Sequence, residues 1–151
     1  MSLSVINYRT VVLFSSLIAL AGCTDKQNVT DGCHIDSVNN SGDLIVTTKR
    51  NSIIQVAGWA FDKLSKQAPE SISVNLVSST GKVSELTKGK TTIARPDVSA
   101  AFNAPSVTNA GFVVSTKLES QAPGTYELQI LLHFHDRDLV CKSITKSIKI
   151  E

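Results

Sequence analysis

Three histidines are the residues whose type and spacing first suggest chemistry: His34, His133 and His135, with Asp136 and Asp138 close behind the second pair. On a strand, residues two apart point to the same face, roughly 7 Å apart. Phe134 belongs to the apolar phase of its segment, which puts His133 and His135 together on the outward face. A His-x-His pair supplies half of a metal site, and the turn at Asp136-Arg137-Asp138 offers a carboxylate. The same residues also read as exposed histidines beside a charged turn, so His133 and His135 are candidate ligands of a metal site whose third ligand is not fixed. Nucleophilic catalysis has less support. No serine sits in a Gly-x-Ser-x-Gly elbow or opens a helix as Ser-x-x-Lys, and Ser65-Lys66 lies in a loop-like stretch. The site checklist therefore yields no catalytic residues, and the expectation is a chain that is not an enzyme and carries no cofactor.

Two further places could carry a ligand or simply hold the fold. Trp59, the only tryptophan, stands in Gly58-Trp59-Ala60-Phe61-Asp62 and reads either as a stacking platform or as a packing residue. Alternation groups it with Ile53, Ala57 and Phe61, against Ile54, Val56, Gly58 and Ala60, and does not rank the two faces. Arg95 and Asp97, in Arg95-Pro96-Asp97-Val98, could meet a ligand or brace a loop as an ion pair.

The elements that must position these residues are strands. Period-two alternation or β-branched runs occupy 44–48, 53–61, 71–77, 82–86, 111–118, 126–134 and 141–150, with turns every eight to fifteen residues. Residues 126–134 and 140–150 are expected to be neighbouring strands joined at 135–138. One short helical turn fits 95–101, with Pro96 in its first turn. This pattern predicts an all-β domain, an antiparallel sandwich or barrel. Residues 24–40 are polar and lack periodicity, so 23–40 read as a tether and 41–151 as the domain.

The amino terminus differs from everything after it. Residues 1–22 contain one charge, Arg9, and an uncharged apolar run from Thr10 to Gly22 that is short for a membrane span. The segment reads as a secretory signal or as a short uncleaved anchor. Leu20-Ala21-Gly22-Cys23 resembles the lipobox of bacterial lipoproteins at every position. That resemblance implies cleavage before Cys23, attachment of two or three acyl chains such as palmitate to it, and firm membrane anchoring. Thr24, rather than aspartate, resembles sorting to the outer membrane of Gram-negative bacteria. Cleavage leaves 151 less 22 residues, 129 in all, enough for one domain with a core.

The formal net charge of +2 falls by one when Arg9 is lost, and no basic cluster interleaved with aromatics appears. Nucleic acid is therefore not an expected partner. With Cys23 acylated, Cys33 and Cys141 remain of the three cysteines. An even pair in an exported chain is most simply a disulfide, with free thiols or a metal pair as alternatives.

Gly58-Trp59-Ala60-Phe61-Asp62, Arg95-Pro96-Asp97-Val98 with Phe102, Asn109-Ala110-Gly111-Phe112, and Pro123-Gly124-Thr125-Tyr126-Glu127-Leu128 follow in an order similar to the small immunoglobulin-like β-sandwiches of bacterial surface and glycan-related proteins. The resemblance spans residues 53–150. It implies a tyrosine whose hydroxyl bonds back to the backbone at Tyr126, and it implies no ligand and no activity. Since Cys33 and Cys141 stand near the two ends, any bridge between them would staple the first segment to the last strand. The sequence thus leads to an envelope lipoprotein that binds a protein or glycan partner or supports an assembly. The other expectations are a periplasmic metal-binding protein using His133 and His135, or an exclusion or inhibitor lipoprotein acting against phage, plasmid donor or cell-wall hydrolase.

Overall fold

The computed structural model describes residues 28–141 and 146–151. Cys23, the whole 1–22 segment and Ile144 of the expected last strand lie outside them. Ten strands run in chain order: β1 (Val29–Thr30), β2 (Cys33–Val38), β3 (Ile45–Thr48), β4 (Ile53–Ala60), β5 (Ser71–Ser78), β6 (Val83–Gly89), β7 (Gly111–Lys117), β8 (Gly124–His133), β9 (Asp138–Cys141) and β10 (Ser147–Ile150). Between β6 and β7 lie the helical turn α1 (Pro96–Ala101) and a 3-10 turn at Pro105–Val107. The described chain is all-β apart from these turns.

The strands form two sheets. In the smaller, β4 pairs antiparallel with β2 on one side and β7 on the other. In the larger, β5 lies between β6 and β8, and the far edge of β8 is shared by β9 and β10. β1 runs beside β9 and β3 beside β10, both parallel, so the larger sheet is mixed where an antiparallel one was expected. The reason is a chain that changes sheet twice. β1 joins the large sheet, β2 crosses to the small one, and β3 returns, running in the direction of the last strands.

Alternating residues of both sheets meet in one core that includes Ile35, Ile54, Val56 and Phe112 from the small sheet and Ile72, Leu76, Ile130 and Leu132 from the large one. Burying each such side chain contributes about 1.5–3 kcal/mol. The Cys33–Cys141 disulfide joins β2 to β9 across the two sheets, with a Cα–Cα distance of 6.0 Å.

β1 and β2 lie within the segment read as tether, ahead of the expected boundary at 41, and Cys33, Ile35 and Val38 are core residues. Ile35 and Val38 are three apart and cannot share a face of a regular strand. A bulge skips Asp36 between Ile35 and Ser37, which turns both apolar side chains inward. The same irregularity erases the alternation that would have marked β2 in the sequence.

Candidate functional site

The histidines do not come together as a metal pair. β8 ends at His133, and His135 lies in the bend beyond it, exposed, so the two-residue strand spacing fails where it was needed. Both ring nitrogens of His133 have partners: Nδ1 lies 2.9 Å from Asp138 Oδ1, and Nε2 lies 2.8 Å from Ser73 Oγ. His34 sits in the other sheet, opposite Trp59 on β4, with ring centroids 6.4 Å apart. The disulfide carries β2 to the last strands without bringing His34 to His133. Among the described residues, no three His, Cys, Asp or Glu side chains gather as a metal site would require.

The neighbours of His133 form a different constellation. Ser73 Oγ, His133 and Asp138 repeat the order of hydroxyl, imidazole and carboxylate found in serine hydrolases. Ser73 comes from the middle of β5, His133 from the end of β8 and Asp138 from the start of β9, the last two being register partners. The arrangement differs from a nucleophile site in three ways. Ser73 is 0% exposed, so its hydroxyl faces no substrate. Glu85 Oε2 on β6 lies 3.0 Å from the same oxygen. If Nδ1–H serves Asp138, neutral His133 must accept through Nε2, so one hydroxyl proton has two acceptors. Finally, the backbone N–H groups beside Ser73 belong to the β5–β6 and β5–β8 ladders and cannot turn towards an oxyanion. The group ties four strands, β5, β6, β8 and β9, together.

Trp59 faces away from the main core. It packs with Phe61 and Phe102, at centroid distances of 5.8 and 5.4 Å, in a second apolar cluster completed by Val98, Ala104, Val107 and Ala110. Of the two readings, the structure supports packing: α1 and the 3-10 turn cover this end of the small sheet. Arg95 is the brace for that cover. Its Nε and Nη2 meet the Asp97 carboxylate at 3.0 and 2.8 Å, and Nη1 reaches Asp36 Oδ2 at 2.6 Å. Asp36 is the residue that the β2 bulge sets aside, so the irregularity that buries Ile35 and Val38 also supplies the partner of Arg95. Hydrogen bonding from Arg95 holds the exposed Asp97 carboxyl at about 2.

At the same end of the molecule, Asp62 organises residues 62–67. Its carboxylate accepts bonds from the Leu64 N–H at 3.0 Å, the Ser65 hydroxyl at 2.6 Å and Arg137 Nη2 at 2.8 Å. Burial works to raise its pKa, but these bonds, that from Ser65 foremost, outweigh it and hold Asp62 below the ordinary carboxylate value. Arg137 also lies over the Phe134 ring, 4.9 Å from its centroid. Ser73, Glu85 and Asp36 carry no signal of these roles in the sequence, because bulges and long-range pairing decide which groups they meet.

Beyond the α1 cover, the outer face of the small sheet is bare among the described residues. Ile53 is 70% exposed and Val113 is 48% exposed, and Val113 lies directly opposite Ala57. Gln55, Ser115 and Lys117 interleave with them. No family model matches the sequence, and no curated protein matches it. Among solved structures, an AA10 lytic polysaccharide monooxygenase from Streptomyces lividans is similar with a TM-score of 0.42 at 8% identity, over 74% of this chain. The alignment spans 62% of that enzyme's length, and at this overlap none of its properties is carried to this chain.

Proposed function

We propose that this chain is a lipid-anchored cell-envelope protein whose immunoglobulin-like β-sandwich binds a protein or glycan partner, or holds an envelope assembly, without catalysing a reaction. The lipobox-like Leu20-Ala21-Gly22-Cys23 supports the anchor and, with Thr24, an outer-membrane address. Three features support the immunoglobulin-like reading. β2-β4-β7 faces a sheet in which β6-β5 and β8-β9/β10 lie side by side. The first segment divides between the two sheets. The Tyr126 hydroxyl donates to Ala122 O at 2.9 Å, the bond back to the backbone that such sandwiches carry at the entry to a late strand.

The observation that carries the binding role is the bare half of the small sheet's outer face. Ile53, Ala57 and Val113 stand there on a rigid antiparallel ladder, mixed with Gln55, Ser115 and Lys117, a composition suited to a contact surface. Photo-crosslinkers placed at Val113 and at Ser79, in the turn that joins β5 to β6 of the opposite sheet, test this in intact cells. A defined adduct, protein or glycan, is expected from Val113 and not from Ser79. Equal, diffuse labelling from both would sink the reading.

A further inference from the structure

Leu64 is 94% exposed, more than any other large apolar side chain among the described residues. Single exposed leucines are ordinary on protein surfaces, and most of them sway. This one is held firmly. The loop that carries it is closed by Asp62 N–H to Gln67 O at 2.9 Å and capped from inside by the Asp62 carboxylate. Arg137 grips that carboxylate from the β8–β9 turn. Lys63 reaches Asp31 at 2.9 Å, while the Lys66 carbonyl and ammonium bond to Ser106 and to Asn103 O. Three separate segments thus fix a short loop whose tip presents leucine to the outside.

The position of the loop gives this a meaning. Asn28, Val29 and Leu64 line one shallow depression of about 210 Å³ with Arg137 and Leu139, so the chain enters the domain beside the leucine. Val29 itself is 40% exposed. Only residues 24–28 separate Cys23 from β1. Five residues span at most about 18 Å when fully extended. An acyl group on Cys23 therefore keeps this end of the sandwich close to the headgroups, while Ile53 and the start of β4 lie at the other end.

We infer that the Leu64 loop, together with Val29, is a membrane-contact surface that seats the domain end-on against the bilayer carrying its own anchor. This rests on acylation of Cys23. One leucine partitions weakly by itself, but the short tether presents it at an effective concentration on the order of millimolar or above, so a weak contact suffices. Seated this way, the bare face of β4 and β7 stands upright from the membrane and open to a partner.

The test uses the full chain, purified with its acyl groups and reconstituted in phosphatidylethanolamine–phosphatidylglycerol vesicles. Intact mass reports acylation first; an unmodified Cys23 overturns both the anchor and this inference. With acylation present, an environment-sensitive fluorophore on Leu64→Cys is expected to brighten several-fold, shift to the blue and be quenched by lipids spin-labelled near the headgroup. The same fluorophore on Ile53→Cys should stay aqueous. In a chain probed at Val29→Cys, adding Leu64→Asp should abolish the shielding while the protein stays vesicle-bound. An acylated protein whose Leu64 probe is as aqueous as its Ile53 probe overturns the inference and leaves the anchor standing. So does a Leu64 probe shielded only in whole envelopes, which would assign the loop to a protein.

Discussion

The outer faces of the two sheets treat their side chains in opposite ways. On the large sheet, Ser73, Glu85, His133 and Asp138 bond to one another, and Asn75 reaches Gln129 at 3.3 Å. On the small sheet, the end under α1 is filled by Trp59, Phe61 and Phe102, and the other end leaves Ile53 and Val113 without cover. The residues that look reactive by type are those already engaged in holding strands. The apolar ones keep surface to spare. A hydroxyl, an imidazole and a carboxylate in the right order make a site only if the hydroxyl has access and a single acceptor, and Ser73 has neither.

The contrast predicts that the covered regions carry stability and the bare face carries almost none. The largest effect belongs to the bridge between the sheets. Replacing Cys33 and Cys141 by alanine opens a loop with a sequence separation of 108. By the chain-entropy model that costs about 4–5 kcal/mol, read as a lower urea midpoint with a steeper slope, because the unlinked denatured chain exposes more surface. Phe61→Ala should cost about 3–5 kcal/mol, because the ring is wholly buried in the second cluster and α1 cannot collapse into the gap. A loss below 1 kcal/mol would mean that α1 is a loose flap and that Trp59 is open to ligand.

Asp62→Asn comes next, at about 1–3 kcal/mol, since the buried carboxylate serves four donors. Its pH behaviour is specific. A carboxyl held below its ordinary value contributes fully above that value, and the contribution is lost as pH falls through the folded-state value. Asp62 should therefore help from neutral pH down to about the ordinary aspartate value of 3.8 and fade below it. For Asp97 the window runs from 3.8 down to about 2. Thermal melts of wild type, Asp62→Asn and Asp97→Asn between pH 6 and pH 2, taken as roughly spaced steps, should converge at the acid end. Parallel curves would exclude these carboxylates from the acid transition.

Ser73→Ala should cost only about 1 kcal/mol, as half-exposed Glu85 recovers water and His133 keeps Asp138. Fluorophosphonate should leave Ser73 of the wild type unlabelled. Stoichiometric labelling, absent in His133→Ala, would turn the brace into an active site and reverse the comparison of the two faces.

Strand segments with clean alternation, such as 126–134 and 71–77, were legible because burial on one face dictates period two. The pairing of Cys33 with Cys141 followed from an even count, and the hydroxyl bond of Tyr126 was implied by the resemblance to immunoglobulin-like sandwiches. β2 was not legible: its bulge at Asp36 breaks the period, and its polar residues, His34 and Ser37, resemble a linker. The histidine pair failed for a related reason. Strand spacing was applied to His135, although it falls in the expected join at 135–138; the Phe134 N–H to Arg137 O bond closes that bend, and Arg137 ties it to Asp62, 75 residues away. Nothing local records that ion pair. The same limit hid Ser73 and Glu85, whose meeting depends on the β5–β6 register and its bulge between Val74 and Asn75.

The smallest stability effect is the most informative about function. Ile53→Lys and Val113→Lys each remove an exposed side chain from a ladder whose backbone bonds they leave intact. Each should change stability by no more than about 0.5 kcal/mol. If the bare face is the contact surface, the double variant should melt with wild type and yet lose the crosslink at its partner. If it is only uncovered sheet, both properties stay unchanged, and the search moves to the large sheet. A large loss of stability would instead show that Ile53 and Val113 are buried in the native assembly by something that folds with them. Thermal melts beside crosslinking in the same variants separate these outcomes, because stability reads what the domain uses itself and the crosslink reads what it leaves for others.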